Sequence, residues 1–360
     1  MNRFLSLVFM AMLLSYAQSQ DVSEINSFPA ASPEIRYSGR VATEDGSAVM
    51  GFPGIETVIR FTGSSIALSG ATLGQSAHFN VTLDGESLPR LDLPSGSFDV
   101  EIASGLDAKA EHELRLVRRS ESWIGVARFD SVTLSESGKL LPAPPTPSRK
   151  LICIGDSITC GEKADLYGYV ENGPVAWNAE KSYGWRLAKR FNAEAHLVSY
   201  GGRGLIRDWQ GLSEPATGPQ LFERVLPDNE SLQWNHDRFS PDLVTVCLGT
   251  NDFSQGIPER EHFVSAYVAF VRRIHEVHPN ARILLISSPW FGDGDPKKEA
   301  LNSYIEETIA TVSADGSDYA SHHFFDTTYP GTKRDAHPIS PQHRAMAEDI
   351  SRTLSQWLGW

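Results

Sequence analysis

Leu151-Ile152-Cys153-Ile154-Gly155-Asp156-Ser157-Ile158-Thr159 runs four apolar residues into a glycine, an acid and a serine. So short an apolar run, closed by turn residues, reads as a strand buried on both faces that feeds a helix. The same pattern returns downstream at 195–199, 243–248 and 283–287, with His323-Phe324-Phe325 as a shorter fifth candidate. Amphipathic helical stretches at 182–192, 259–277, 297–314 and 340–358 separate or follow these runs. Strand and helix in alternation predict an α/β fold around a five-stranded parallel sheet over residues 150–360. In such a fold the ligand site lies at the carboxyl ends of the strands.

Upstream the rhythm differs. From about residue 35 to residue 141, short runs alternate apolar and polar residues, as in Glu56-Thr57-Val58-Ile59-Arg60-Phe61 and Phe98-Asp99-Val100-Glu101-Ile102. Period-two alternation broken by Gly, Ser and the turn pair Asp84-Gly85 predicts an antiparallel, jelly-roll-like β-sandwich over 33–141, with about eight or nine strands. Between the two regions, residues 142–149 form a linker; Pro142, Pro144, Pro145 and Pro147 block both helix and sheet there.

The N-terminus carries one Arg, an apolar stretch from Phe4 to Leu14 and small polar residues up to Gln20. That is the make-up of a signal peptide over 1–19, too short to span a bilayer comfortably. It predicts an exported protein, periplasmic or extracellular, with no membrane attachment after cleavage. The formal net charge of −13 over 360 residues opposes a nucleic-acid partner, and the pair Lys297-Lys298 does not offset it. Cys153, Cys160 and Cys247 are odd in number and lack CxxC spacing, which argues against a disulfide framework and a metal site. No metal or cofactor is expected. Asn80-Val81-Thr82 and Asn229-Glu230-Ser231 match the glycosylation sequon.

Ser157 stands at a strand-to-helix junction, where backbone N–H groups point outward and can stabilise an oxyanion. Alone, Gly155-Asp156-Ser157 also suits a helix N-cap. Three further blocks follow candidate strands: Ser199-Tyr200-Gly201-Gly202-Arg203-Gly204, Gly249-Thr250-Asn251-Asp252 and Asp335-Ala336-His337-Pro338. A parallel sheet would gather all four on one edge. Together they supply a nucleophile, a backbone donor, an amide donor and an Asp–His pair, the parts of an acyl-transfer site.

In this order the blocks resemble the SGNH hydrolases, also called GDSL hydrolases, whose fold is α/β/α and flavodoxin-like. The resemblance implies Ser157 as nucleophile and His337 as general base and acid. It implies Ser157 N–H, Gly202 N–H and the Asn251 side chain as oxyanion donors, with Gly201 competing for the glycine role. Asp335 would orient His337. No GxSxG elbow surrounds Ser157, unlike an ordinary α/β-hydrolase. Asp335 stands two residues before His337, where most SGNH enzymes place it three before.

A β-sandwich joined to such a domain, with Gly-Asp-Ser-Ile-Thr-Cys-Gly and Asp-x-His-Pro, resembles carbohydrate esterase family 2. Its members are acetylxylan esterases that remove O-acetyl groups from plant polysaccharides, often at the 6-position of hexose units. In that family a backbone carbonyl can replace the carboxylate behind the His. The expected activity is therefore deacetylation of polysaccharide or oligosaccharide esters by an acyl-enzyme route. Alternatives are an SGNH esterase acting on peptidoglycan or lipid esters, and a carbohydrate-binding protein without activity. Trp290 and Trp209 could stack on a sugar face, though core packing explains either equally well. Asp156 and Asp252 read as loop braces, Cys160 as a packing residue, and His322, His323 and His343 as structural.

Overall fold

The computed structural model describes residues 26–166 and 172–360. The expected signal peptide at 1–19 lies outside the described residues. No helix among the described residues is long and apolar enough to cross a membrane.

Residues 26–141 form a ten-stranded antiparallel sheet with no helix. Ser65–Leu83 is the strand that shapes it. Its first half, Ile66 to Gly74, pairs with Gly125–Leu134, and its second half, Phe79 to Leu83, pairs with Glu111–Arg118. One strand thus serves two layers, as a jelly-roll-like sandwich requires. The bend falls at Gly74, whose φ of +114° excludes most side chains, and the register with Glu86–Ser104 slips there. Phe61, Leu68, Phe79, Leu114 and Phe129 are buried between the layers. Ten strands are found against an expectation of eight or nine. The excess is in pieces such as Arg36–Ser38 and Lys139–Leu141, too short for alternation to register.

Beyond residue 148 the sheet is parallel. Arg149–Gly155, Ala193–Ser199, Leu243–Cys247, Arg282–Ile286 and Ala320–His323 are its strands in chain order, and their spatial order is second, first, third, fourth, fifth. Alternate residues face opposite ways. Ile152, Ile154, Val244, Val246, Ile283 and Leu285 share a core cluster with helices Arg260–Val277 and Pro296–Val312. Leu151, Leu243, Leu284 and Ile286 share the other with Tyr183–Arg190 and Ser340–Leu358. The chain steps from the first strand to one side and then to the other, which opens a crevice between the ends of the first and third strands.

The two regions are locked together. Fully buried Arg40 donates to the carbonyls of Phe222 (2.6 Å) and Arg224 (2.7 Å) and lies over the rings of Phe222 and Trp234. Burial lowers its pKa to about 9 despite the charge of Glu223. Arg119 reaches Asp165 at 2.7 Å, and the Asn80 amide donates to Asn178 at 2.9 Å. Asn80 is therefore a bridging side chain, and Asn229 is the exposed one of the two sequon asparagines. Cys153, Cys160 and Cys247 are free and buried.

Candidate active site

Gly155 ends the first strand, and the chain turns at once into the short helix Ser157–Cys160. Asp156 caps that helix, its carboxylate accepting from Ile158 N at 3.0 Å. Ser157 is thereby held at the first helical position, with its Oγ turned into a cleft of about 570 Å³.

His337 arrives from the loop after the fifth strand. Its Nε2 stands 3.0 Å from Ser157 Oγ, and its Nδ1 stands 2.6 Å from Asp335 Oδ1. The same Asp335 oxygen accepts the backbone N–H of His337 at 3.0 Å. Burial alone would lower the His337 pKa, but the Asp335 hydrogen bond and the carboxylates of Glu162 and Asp156 outweigh it and raise the value. The hydrogen bond from His337 holds Asp335 below the usual carboxylate range. The ring of Trp290 meets the imidazole edge-on, at 5.2 Å between centroids and 73° between planes.

Among the described residues, neither Ser157 N–H nor Gly202 N–H has an acceptor. Gly201 N–H, by contrast, donates to Glu121 Oε2, so only Gly202 of the pair is left with a backbone donor to offer. Gly202 has φ of +75°, and a Cβ there would lie 2.8 Å from the Trp209 ring. The Asn251 side-chain nitrogen stands 3.1 Å from Asp156 Oδ2 and 3.0 Å from Arg203 O. It reaches the cleft floor already engaged, and donating to an oxyanion means giving up one of those acceptors.

Ser157, His337, Gly202, Asn251, Trp209 and Trp290 all line this one cleft, with Asp335 directly behind His337. Trp209 is 54% exposed, a platform and not a core residue. Asp252 accepts the N–H groups of Leu205, Ile206 and Arg207 and so shapes the loop that carries Gly202. His343 is fully buried and accepts from Tyr183 N at 3.2 Å. His323 bonds Thr353 at 2.8 Å, and His322 packs against Phe324. These three lie outside the cleft lining.

Three lining or supporting residues were not anticipated. Trp123 and Glu121 come from the sandwich, on the loop between Glu111–Arg118 and Gly125–Leu134. Glu121 is buried, receiving Trp177 Nε1 at 3.1 Å as well as Gly201 N–H, and burial raises its pKa. Glu162 follows the short helix Ser157–Cys160, with its carboxylate 3.5 Å from His337 Nε2. The one available signal was composition: an exposed-type Trp between Ser122 and Ile124 in a strand connection, and an acid five residues after Ser157.

Residues 153–354 match the GDSL-like Lipase/Acylhydrolase family, and residues 37–144 match the carbohydrate esterase 2 N-terminal family. An acetylxylan esterase / glucomannan deacetylase of Cellvibrio japonicus (strain Ueda107) is 36% identical over 341 residues, 94% of this chain and 93% of that protein. A family two carbohydrate esterase from Cellvibrio japonicus superposes with a TM-score of 0.86 at 35% identity, covering 93% of this chain and 98% of that one. Another, from Clostridium thermocellum and solved with cellohexaose, gives 0.82 at 27% identity, covering 91% and 99%.

Proposed function

This chain belongs to carbohydrate esterase family 2 within the GDSL-like acylhydrolases, and from that premise we propose how it removes acetyl groups from polysaccharide. The protein is a serine ester hydrolase acting on carbohydrate. The observation that carries the mechanism is the unbroken line Asp335–His337–Ser157, with contacts of 2.6 and 3.0 Å, at the floor of an aromatic-walled cleft.

His337 takes the Ser157 proton as Oγ attacks the acetyl carbonyl. The oxyanion so formed is held by the N–H groups of Ser157 and Gly202 and by the Asn251 amide. His337 then hands its proton to the departing sugar hydroxyl, leaving an acetyl group on Ser157. Water reverses the sequence and releases acetate. Asp335 keeps Nδ1 protonated and stabilises the imidazolium. Trp123, Trp209 and Trp290 form the walls on which a pyranose face packs.

Acetylated xylan or glucomannan is the substrate this cleft suits, with O6 a candidate position on the hexose units of glucomannan. The signal-like leader would place the enzyme outside the cytoplasm, where such polymers are met. The test is acetate release from both polymers by wild type and by Ser157→Ala. A fall of at least about 10³-fold in the variant supports the serine mechanism, and unchanged release rejects it.

A further inference from the structure

We propose that Glu162 is a further catalytic residue, the one that orients the water attacking the acetyl-enzyme; this rests on the esterase reading above. Its carboxylate oxygen lies 3.5 Å from His337 Nε2, the atom that must receive the water's proton. Ser157 Oγ lies 3.0 Å from the same nitrogen. Glu162 and Ser157 thus flank one proton acceptor, and both line the cleft. An oxygen placed on the cleft side within hydrogen-bonding distance of Nε2 also comes within reach of Glu162.

The positioning of Glu162 is built in. Gly161 ends the helix in a left-handed turn, and Glu162 N–H donates back to Ser157 O at 3.0 Å. Backbone of the nucleophile therefore fixes the backbone of the acid. His337 does not need Glu162 for its orientation, because Asp335 already holds Nδ1. Among the described residues, the Glu162 carboxylate accepts no hydrogen bond, and its near neighbour is His337 Nε2.

Its surroundings make the residue costly to keep. A Cβ built on Gly201 would lie 3.0 Å from a Glu121 oxygen and 3.3 Å from a Glu162 oxygen, so the two acids converge on one glycine. Two carboxylates this close resist joint ionisation. Burial and the charge of Glu121 push Glu162 up to about 7, against the opposing pull of His337. Glu121 is fully engaged by Gly201 and Trp177, which leaves Glu162 as the carboxyl free to meet a ligand.

In the step assigned to it, one water hydrogen bonds to Glu162 and the other points at His337 Nε2. Nε2 takes that proton as the water oxygen bonds to the acyl carbon. The tetrahedral intermediate then breaks its bond to Ser157 Oγ, which recovers the proton from Nε2, and acetic acid departs, its own proton passing to solvent.

Pre-steady-state hydrolysis of 4-nitrophenyl acetate separates this role from a structural one. Nitrophenolate leaves without needing a proton, so acylation of Ser157 does not call on Glu162. Glu162→Ala should show a full burst of nitrophenolate, then a steady-state kcat lowered about tenfold to hundredfold. Intact mass should show the acetyl-enzyme accumulating. Glu162→Gln, which still hydrogen-bonds to water, should recover most of the rate. A burst and steady state that fall together in both folded variants would overturn the assignment, as would wild-type kinetics in Glu162→Ala. A wild type that acetylates nowhere, or elsewhere than Ser157, would overturn the esterase reading itself and this inference with it.

Discussion

Asp335 sits two residues before His337, and its single oxygen Oδ1 accepts both the backbone N–H and the ring Nδ1 of that histidine. The first bond is an Asx-turn, which is available only at a spacing of two. The unusual interval therefore still delivers a carboxylate to the imidazole, by way of a local turn. A consequence follows for pH. His337 must be neutral to accept the Ser157 proton, and its pKa is raised, so activity should fall as pH drops through a value above the ordinary 6.5. Asp335→Asn removes a group that raises that pKa. Its acid limb should move to lower pH while kcat/KM on the plateau drops about tenfold or more; an unmoved limb in the pH–rate profile would place the control elsewhere. A hydrogen-bonded chain is not enough to make a site. Ser76, His78 and Asp92 of the sandwich repeat the order at 2.9 and 2.7 Å. There, however, Arg90 also claims Asp92, His78 is pushed down by burial, and none of the three lines the cleft.

At the scale of elements, the turn after each strand carries its chemistry and the strands only deliver it. Ser157 follows the first strand, Gly202 the second, Asn251 the third and His337 the fifth. The reversal of strand order between the first and third opens the gap they share. Arg40 belongs to this scale because it ties a turn of the sandwich to the end of helix Gly218–Phe222 and the strand after it. Arg40→Ala would leave the carbonyls of Phe222 and Arg224 buried without donors, a loss of roughly 2–4 kcal/mol. Thermal unfolding should show a clearly lower Tm; an unchanged Tm would mean water replaces the guanidinium. Helix Ser340–Leu358 and the four long strand runs were readable from periodicity, because each buries enough residues to repeat a pattern. The three-residue strands were not, since so few positions hold no period.

For the whole molecule, the sandwich forms part of the cleft that holds Ser157 and His337. It supplies Trp123, 46% exposed, to one wall and buried Glu121 beneath Gly201. Trp123→Ala should raise KM for acetylated glucomannan about tenfold, the size of one lost aromatic contact, while leaving 4-nitrophenyl acetate hydrolysis nearly intact. Equal losses on both substrates in steady-state kinetics would show that Trp123 shapes the catalytic groups and not the sugar site. Occupying Gly201 N–H is the second contribution of the sandwich. It takes one of two adjacent glycine donors out of use and leaves the Gly202 N–H, the donor that the proposed mechanism gives to the oxyanion.

The amino-acid order was sufficient for the two folds, and it placed the blocks that bear Ser157, Gly202, Asn251 and His337 after strands, whose ends meet at one cleft. Those features are local: each rests on periodicity or on a motif a few residues long. Glu121, Trp123 and Glu162 were beyond it. Glu121 and Gly201 are 80 positions apart in the chain, and their contact exists only because a sandwich loop docks against the end of a parallel strand. Such docking depends on shape and burial summed over both regions, which no local pattern encodes.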